Sequence, residues 1–590
     1  EHDAEGVRYG KHAKFDEAIQ EYLKIKEKTK GTGLAANLPI LYSKAGKFKE
    51  LRDEAKELAP SSNQREVLLL VAIAALEGSA AAIQQANKEI SNDEERRKAM
   101  SGAGATLIQL RLYSQAADLL AAGARGAADA TAVLGQAEMY RKTVRYEELK
   151  FSPSDPRDVV KQMFALFFAP ERPKKEDLLA ICSKAAADEL SKENERDPLR
   201  EMSSARSVIA RAGLPLEVGR DIIVANIQFS AEGIEGGDYR VRTQAPGAEV
   251  MTFLVVRENG MYRILDDTKS ATSAGLEALW RVERGDPAGA RRLLDWVRED
   301  MALGGGDDPY AGKPFPRLWE KGREADSNAI RAAAAGLLVT TPNANLAVPI
   351  LRSAAEKAAS PAEKVALELG LAAAYAKLND YGAVLPMAKN FLNSSPNSET
   401  AFAMVVDALN ALKRWDDAEV VVQERLKSRA NDALALRALA RIEDFRGQFA
   451  KSIEHLRRLA TLGTATASDY NGMAWAALFI EPMPQQAVED AQRAAQLSQN
   501  NNPAIVHTLS AVWAEAGKTN EAREAMLHAL DLYDLEEPNS EIWYLYGRLA
   551  ELYGEKQTAV SAYQKVEKPK NIERQPTATF HLAQRNLKRL

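Results

Sequence analysis

The sequence predicts a mostly α-helical chain: a solenoid of stacked helical hairpins in two arrays, interrupted by a smaller α+β domain with a curved antiparallel sheet. Three observations predict it. Small or modest residues that follow an aromatic by three places recur at about 34-residue spacing, the length of a two-helix repeat unit. The composition is rich in Ala and Leu, with only 7% aromatic residues, which favours helix. Between about residues 155 and 270 the hydrophobic period shortens to two, the period of strands.

At 590 residues the chain is too long for one ordinary core, so several domains or a repeat array are expected. With 46% hydrophobic and 27% charged residues it has a globular composition. A net charge of -5 gives no basic footprint, so no nucleic-acid partner is expected. No run of about 18 apolar residues occurs, so no membrane span is expected. The single cysteine, Cys182, excludes an internal disulfide and a cysteine-based metal site. Within LLAICSKAAADEL it reads as a buried thiol on an amphipathic helix. The chain opens on Glu1 rather than Met. That leaves the compartment open and admits a bacterial periplasmic or other exported protein with its leader removed.

Residues 1–150 read as divergent helical repeats. GKHAKFDEAIQEYLKI supplies Phe15, Ala18 and Tyr22, with Gly6 and Tyr9 on an earlier helix that begins near or before residue 1. Leu51, Ala82 and Ala116 continue the series of close-packed positions begun by Ala18. The charge-rich stretches KIKEKTK and KEISNDEERRK read as solvated helix faces.

In residues 155–270, helical text gives way to RDIIVANIQFSAEG, DYRVRTQ, EVMTFLVVRE and MYRILDD. These runs are rich in Val, Ile, Phe and Tyr, and Asn259-Gly260 between the last two is a strong hairpin signal. The element order resembles the cystatin-like fold of the nuclear-transport-factor-two and ketosteroid-isomerase superfamily. That resemblance implies a cone-shaped domain, used for isomerase chemistry in some members and only for binding in many. Tyr239, Tyr262, Asp266 and Asp267 have suitable chemistry, but no residue pattern fixes catalytic positions, and turn or sheet roles are expected for them.

Residues 271–360 read as irregular helical hairpins, with Gly285 in a turn, Ala290 close-packed, and a Gly/Pro-rich loop at 304–316. Residues 361–570 carry the regular array. Tyr381, Trp415 and Phe449 precede Val384, Ala418 and Ser452 by three places, and Ala487, Ala522 and Ala559 follow in phase. The last unit adds Trp543, Tyr546, Gly547, Ala550, Tyr563 and Val566. This pattern resembles the tetratricopeptide repeat family. Packing explains it: a hairpin too small to bury its own face must stack on neighbours, and a small residue lets paired helices approach. The aromatic, as in Trp415 ahead of Ala418, is expected to fill the space alongside. Residues 571–590 read as a C-terminal capping helix.

The tetratricopeptide resemblance implies that the first helix of each hairpin lines a concave groove. By phase it points Asp407, Asn410, Arg437, Arg441, Asp444, His507, Tyr544, Arg548 and Glu551 inward as a partner-binding surface. Co-chaperone members clamp a terminal carboxylate with lysine and asparagines. Here Leu369, Ala373, Ala403 and Asp407 stand at the corresponding places, so recognition of a chaperone tail is not implied.

Chemistry-bearing motifs fail one by one. Aligning Gly312-Lys313 as a phosphate loop puts Asp307 where the first glycine belongs and Pro314 where the hydroxyl belongs. Asp307 and Asp308 lack the spaced carboxylates of a calcium loop. The six histidines are scattered, without zinc-ligand spacing. No catalytic residue, cofactor or metal is therefore expected. The leading reading is a non-enzymatic scaffold for protein or peptide partners, with homo- or hetero-oligomers both open. The alternative is a small-molecule-binding or isomerase-like middle domain held by structural repeats. A pocket of convergent polar groups inside the sheet would favour the alternative, and a filling of Phe, Leu and Ile would favour the scaffold.

Overall fold

The computed structural model describes residues 14–29, 38–58, 63–127, 130–171, 173–192, 209, 214–244, 250–301, 315–319, 326–533 and 538–590. The earlier helix expected around Gly6 and Tyr9, and most of the loop at 304–316 with Asp307, Asp308, Gly312 and Lys313, lie outside the described residues. The chain divides into two compact units. One comprises Glu1–Ile181, Ala205–Met251 and Arg257–Arg263, the other Cys182–Ser204, Thr252–Val256 and Ile264–Leu590.

The first unit opens with α1 (Phe15–Thr29). Three helical hairpins follow: α2 (Leu38–Lys44) with α3 (Phe48–Glu57), α4 (Asn63–Glu77) with α5 (Ser79–Glu89), and α6 (Asp93–Gln109) with α7 (Tyr113–Gly123). α8 (Ala130–Lys142) packs on α7. Ala18, Leu51, Ala82 and Ala116, the residues placed at close contacts by the sequence, are all fully buried. Around them Tyr22, Leu38, Leu70, Leu107 and Leu119 form one continuous core.

The middle segment contains α9 (Pro156–Phe167), α10 (Lys175–Leu179), α11 (Lys184–Lys192) and α12 (Leu216–Asn226). Four strands follow: β1 (Gln228–Gly233), β2 (Tyr239–Gln244), β3 (Met251–Glu258) and β4 (Met261–Asp267), in sheet order β1-β2-β3-β4. β1 and β2 run antiparallel, from Gln228 opposite Gln244 to Gly233 opposite Tyr239. Asn259 and Gly260 have φ of 51° and 82°, as a two-residue type I′ turn requires. α9 packs on β1 and β2, with the Phe164 ring edge-on to Phe229 at 6.4 Å.

LLAICSKAAADEL is not one helix. α10 ends at Leu179, and Cys182 pairs with Ile264 as a parallel β-bridge, only half-buried. Ser183 is the cause. Its amide donates to the Ile264 carbonyl (2.8 Å) and its Oγ accepts from the Ala186 amide (3.2 Å), so it is the N-cap from which α11 starts.

The second unit continues through α13 (Thr272–Glu283), α14 (Pro287–Asp300), α15 (Phe315–Leu318), α16 (Ser327–Leu338) and α17 (Ala344–Glu356). Leu254, Val256 and Leu265 of the strands share a core with these helices. Six regular hairpins follow. Their first helices are α18 (Pro361–Lys377), α20 (Glu399–Ala411), α22 (Ala433–Phe445), α24 (Ala467–Ala477), α26 (Pro503–Glu515) and α28 (Ser540–Leu552). Their second helices are α19 (Tyr381–Ser394), α21 (Trp415–Ser428), α23 (Phe449–Thr461), α25 (Gln486–Leu497), α27 (Thr519–Tyr533) and α29 (Lys556–Gln564). Amphipathic α30 (Thr579–Arg589) closes the stack with Leu582 and Ala583 buried.

The repeats are punctuated by local chemistry. Each first helix of the regular array starts at a residue whose side chain accepts backbone amides: Ser360, Ser398, Asp432, Thr466, Asn502 and Asn539. Nearly every hairpin turn carries one left-handed residue: Gly46, Arg111, Gly285, Asn379, Lys413, Gly447, Gly517 or Gly554. The amide after it reaches back five residues, as from Arg414 to the Leu409 carbonyl (2.9 Å) or from Gln448 to Glu443 (2.8 Å). That is the Schellman ending. Five residues after each left-handed residue stands the close-packed one, including Leu51, Ala116, Ala290, Val384, Ala418, Ser452, Ala522 and Ala559, all buried. Gly547 allows the other close approach, since a Cβ there would lie 2.5 Å from the Tyr563 ring.

Trp415 is half-buried in the cluster that holds Ala418, and its indole stacks on Phe445 of α22 with centroids 6.3 Å apart. The aromatic thus binds one hairpin to the next as well as filling its own turn. Four outcomes follow, all read by denaturant unfolding. Lys413 and Gly447 occupy equivalent turns, and a Cβ at Gly447 would meet nothing within 4 Å, so their difference is purely conformational. Lys413→Gly should stabilise by roughly 0.5–1 kcal/mol and Gly447→Ala should destabilise by about 1 kcal/mol. Ala418→Leu should cost about 1–3 kcal/mol by overpacking. Trp415→Ala, from a half-exposed site, should cost roughly 2–3 kcal/mol rather than the larger loss of a fully buried ring. A neutral Ala418→Leu would contradict the close-contact geometry.

Candidate functional site

The first helices of the regular array carry the polar residues that the sequence assigns to a groove. Asp407 on α20 and Arg441 on α22 are both more than half exposed and form an ion pair at 3.3 Å. Partial burial of its carboxyl raises the pKa of Asp407 above its usual range, and Arg441 opposes the rise. Asp444 lies one turn beyond Arg441. Burial pushes it up to about 6, against the Ser452 hydroxyl and Arg441.

The other predicted groove residues are engaged with the protein itself. Arg437 holds Asp469 with two bonds of 2.7 and 2.8 Å, and Asp469 in turn closes the capping box of α24 with Thr466. Arg548 grips Glu515 at 2.7 and 3.2 Å and Glu551 at 2.6 Å. The Arg437–Asp469 and Arg548–Glu515 pairs run from one first helix to the next and fix hairpin register, while Arg548–Glu551 lies within α28. Asn410 and Tyr544 are buried, with no partner for the Asn410 amide or the Tyr544 hydroxyl. Burial raises the Tyr544 pKa. His507 is buried against Trp475, ring centroids 5.2 Å apart, and its Nε2 lies 3.1 Å from the Glu541 carbonyl. Burial pulls its pKa down to about 4, the Glu541 carbonyl opposing.

Sequence reasoning missed the cleft beside His507. It has a volume of about 1130 Å³ and is lined by Trp475, Glu541, Trp543, Lys565 and Phe580 among others. Its far wall is the segment 564–580, from which the Thr577 carbonyl accepts the Trp475 indole N–H at 2.8 Å. Lys565 lies over the Trp543 ring at 3.8 Å. Trp543 was visible as an aromatic of the last unit, but Trp475 was not singled out, and the segment that closes the cleft follows the last regular hairpin.

In the sheet, Tyr239 and Tyr262 pack edge to face at 5.5 Å. Asp266 accepts from the Ser273 amide (2.6 Å) and the Ser270 hydroxyl (2.9 Å) at the start of α13, and Asp267 accepts from the amides of Lys269 and Ser270. Burial and the neighbouring Asp267 push Asp266 up to about 7. Both acids serve a turn. The central strand is filled by Phe253, Leu254, Val255 and Val256, all buried.

By repeat length, small-residue phase and Schellman turns, the regular array is built of tetratricopeptide-type helical hairpins. No protein-family model matches the chain, and neither does any curated protein. Solved structures do match. A MamA protein aligns at 21% identity over 30% of this chain and 91% of its own, with a TM-score of 0.24. YrrB, described as a TPR protein with an unusual peptide-binding site, aligns at 14% identity over 34% and 98%, with a TM-score of 0.26. Yeast Tom70 aligns at 12% identity over 95% and 94%, with a TM-score of 0.32. At such scores the likenesses add nothing to what the hairpins themselves define. Among the described residues no helix is long and apolar enough to cross a membrane.

His507 gives a pH signature. Its folded pKa is depressed, so the unfolded chain binds a proton that the folded chain refuses. Its contribution is intact above pH 6.5 and is lost as pH falls towards 4, by at most about 3 kcal/mol. His507→Gln should flatten the fall in urea midpoint between pH 7 and 4.5. An unchanged slope would show that the imidazole titrates freely.

Proposed function

We propose that the protein is a non-enzymatic scaffold that binds partner proteins or peptides through the concave, first-helix face of its repeats. The observation that carries this reading is the Asp407–Arg441 pair: two opposite charges, both more than half exposed, on adjacent first helices of the stack. Such a pair can exchange its internal contact for a partner's charges at little loss, because an exposed ion pair contributes only about 0–1 kcal/mol. Asn410 and Asp444 flank it on the same face, one repeat apart. Arg437 and Arg548 support the groove through inter-repeat ion pairs, with Glu551 bracing Arg548 from within α28, while His507 and Tyr544 form its buried floor.

The middle segment serves in this reading as a spacer. The filling of its central strand by Phe253, Leu254, Val255 and Val256 and the turn roles of Asp266 and Asp267 weigh against an isomerase-like domain. We place the functional borders at 1–150, 155–270, 271–360, 361–570 and 571–590.

The test is a photo-crosslinking amino acid at position 441, compared with one at Val420 on the exposed face of α21, in cells of the native host. Adducts formed from position 441 and abolished by Asp407→Lys support the groove. Equal adducts from both positions would overturn it. Arg441→Ala should leave stability within about 0.5 kcal/mol of the parent, so replacing Arg441 by the crosslinking residue does not itself unfold the array.

A further inference from the structure

In an open stack each repeat touches only its neighbours. The segment after the last regular hairpin breaks that rule. Arg574 donates to the Asn379 side chain at 2.6 Å, and its guanidinium lies 4.7 Å from the Tyr381 ring, both in the first hairpin of the same array. Three residues on, the Thr577 carbonyl accepts the Trp475 indole N–H of the fourth hairpin. Beyond it Arg585 donates to the Leu478 carbonyl at 2.8 Å. Residues 571–578 therefore form a strap that ties the end of the array to its beginning.

The strap has a definite local shape. The Ala578 amide donates to the Gln575 carbonyl at 3.0 Å, closing a β-turn with Pro576 second and Thr577 third. Proline pre-sets the backbone angle of that second position, so the turn is ordered before it docks, which lowers the cost of binding. The carbonyl it offers to Trp475 belongs to the third residue. The cleft of about 1130 Å³ lies between this turn and the first helices α24, α26 and α28, leaving room beside the seated segment.

We propose that Trp475 and the cleft around His507 are a recognition site for a proline-containing β-turn, occupied in this chain by its own residues 575–578, and that a partner segment of the same chemistry takes this site by displacing the strap. The recognition is carried by the indole N–H on a main-chain carbonyl and by the aromatic walls formed by Trp475, Trp543 and Phe580. This deepens the scaffold reading by naming a partner class for the C-terminal half of the groove.

The test uses the full chain with residues 571–578 replaced by an eight-residue Gly/Ser linker, so that α30 can still dock, and a fluorescent synthetic peptide of residues 570–580, KNIERQPTATF. The linker chain should bind the peptide, and the intact chain should bind it at least about tenfold more weakly, because a tethered turn competes at an effective concentration of about millimolar. In the linker chain, Trp475→Phe should weaken binding about fivefold, the loss of one hydrogen bond. In the intact chain, Arg574→Ala should strengthen peptide binding severalfold by loosening the strap without touching α30. No binding to the linker chain while residues 579–589 keep their hydrogen-exchange protection would overturn the proposal. So would equal binding by linker and intact chains, or no gain from Arg574→Ala. Crosslinks at position 441 together with a failed peptide experiment would sink this inference alone. Peptide binding without such crosslinks would sink the Asp407–Arg441 surface instead.

Discussion

Two helices joined by a tight turn approach closely where a buried, mostly small side chain lies between them, and in most hairpins of this chain that residue stands five places after a left-handed turn residue. The geometry is local. The Schellman bond fixes the direction in which the second helix leaves, and the small residue decides how near it returns to the first. Ala418, Ala522 and Ala559 are each fully buried, with no polar atom to satisfy and little side-chain entropy to lose. Every later feature depends on this contact, because it determines which face of each first helix turns away from its partner.

The ion pairs are secondary to that packing and sharpen it. Arg437 with Asp469 and Arg548 with Glu515 are partly buried, charge-assisted contacts between successive first helices. Pairs of this kind are better at fixing register than at adding stability. Asp407 with Arg441 also joins successive first helices, but through a single contact at 3.3 Å and at higher exposure. Along the proposed groove the α20–α22 pair is thus the more solvated, whereas residues from 564–580 line the cleft beside α24, α26 and α28.

The hairpin phase was legible in the sequence because small residues are chosen by neighbours within the same repeat and aromatics by those of the same and the next repeat, both at fixed sequence distance. The Asn259-Gly260 turn was legible for the same reason, since only residues tolerant of positive φ fit there. Lys413 and Arg111 as left-handed residues were not, because neither residue type signals that conformation. The break at Cys182 was hidden by helical composition on both sides, and only the bond from Ser183 to a distant strand reveals it. The candidate groove was half legible. Phase put the nine residues on first helices, but phase cannot say that Arg548 is held by Glu515, or that residues 571–578 reach back to Asn379. Contacts between segments so far apart leave no periodic trace.

If close contact at the small residue is what joins two helices into a unit, a hairpin cannot open one helix at a time. Hydrogen exchange resolved along the chain at increasing denaturant measures this directly. Amides of α20 and α21, and likewise of α22 and α23, should converge on one opening free energy and one denaturant slope within each hairpin. First and second helices of the same hairpin exchanging with independent free energies and slopes would contradict it.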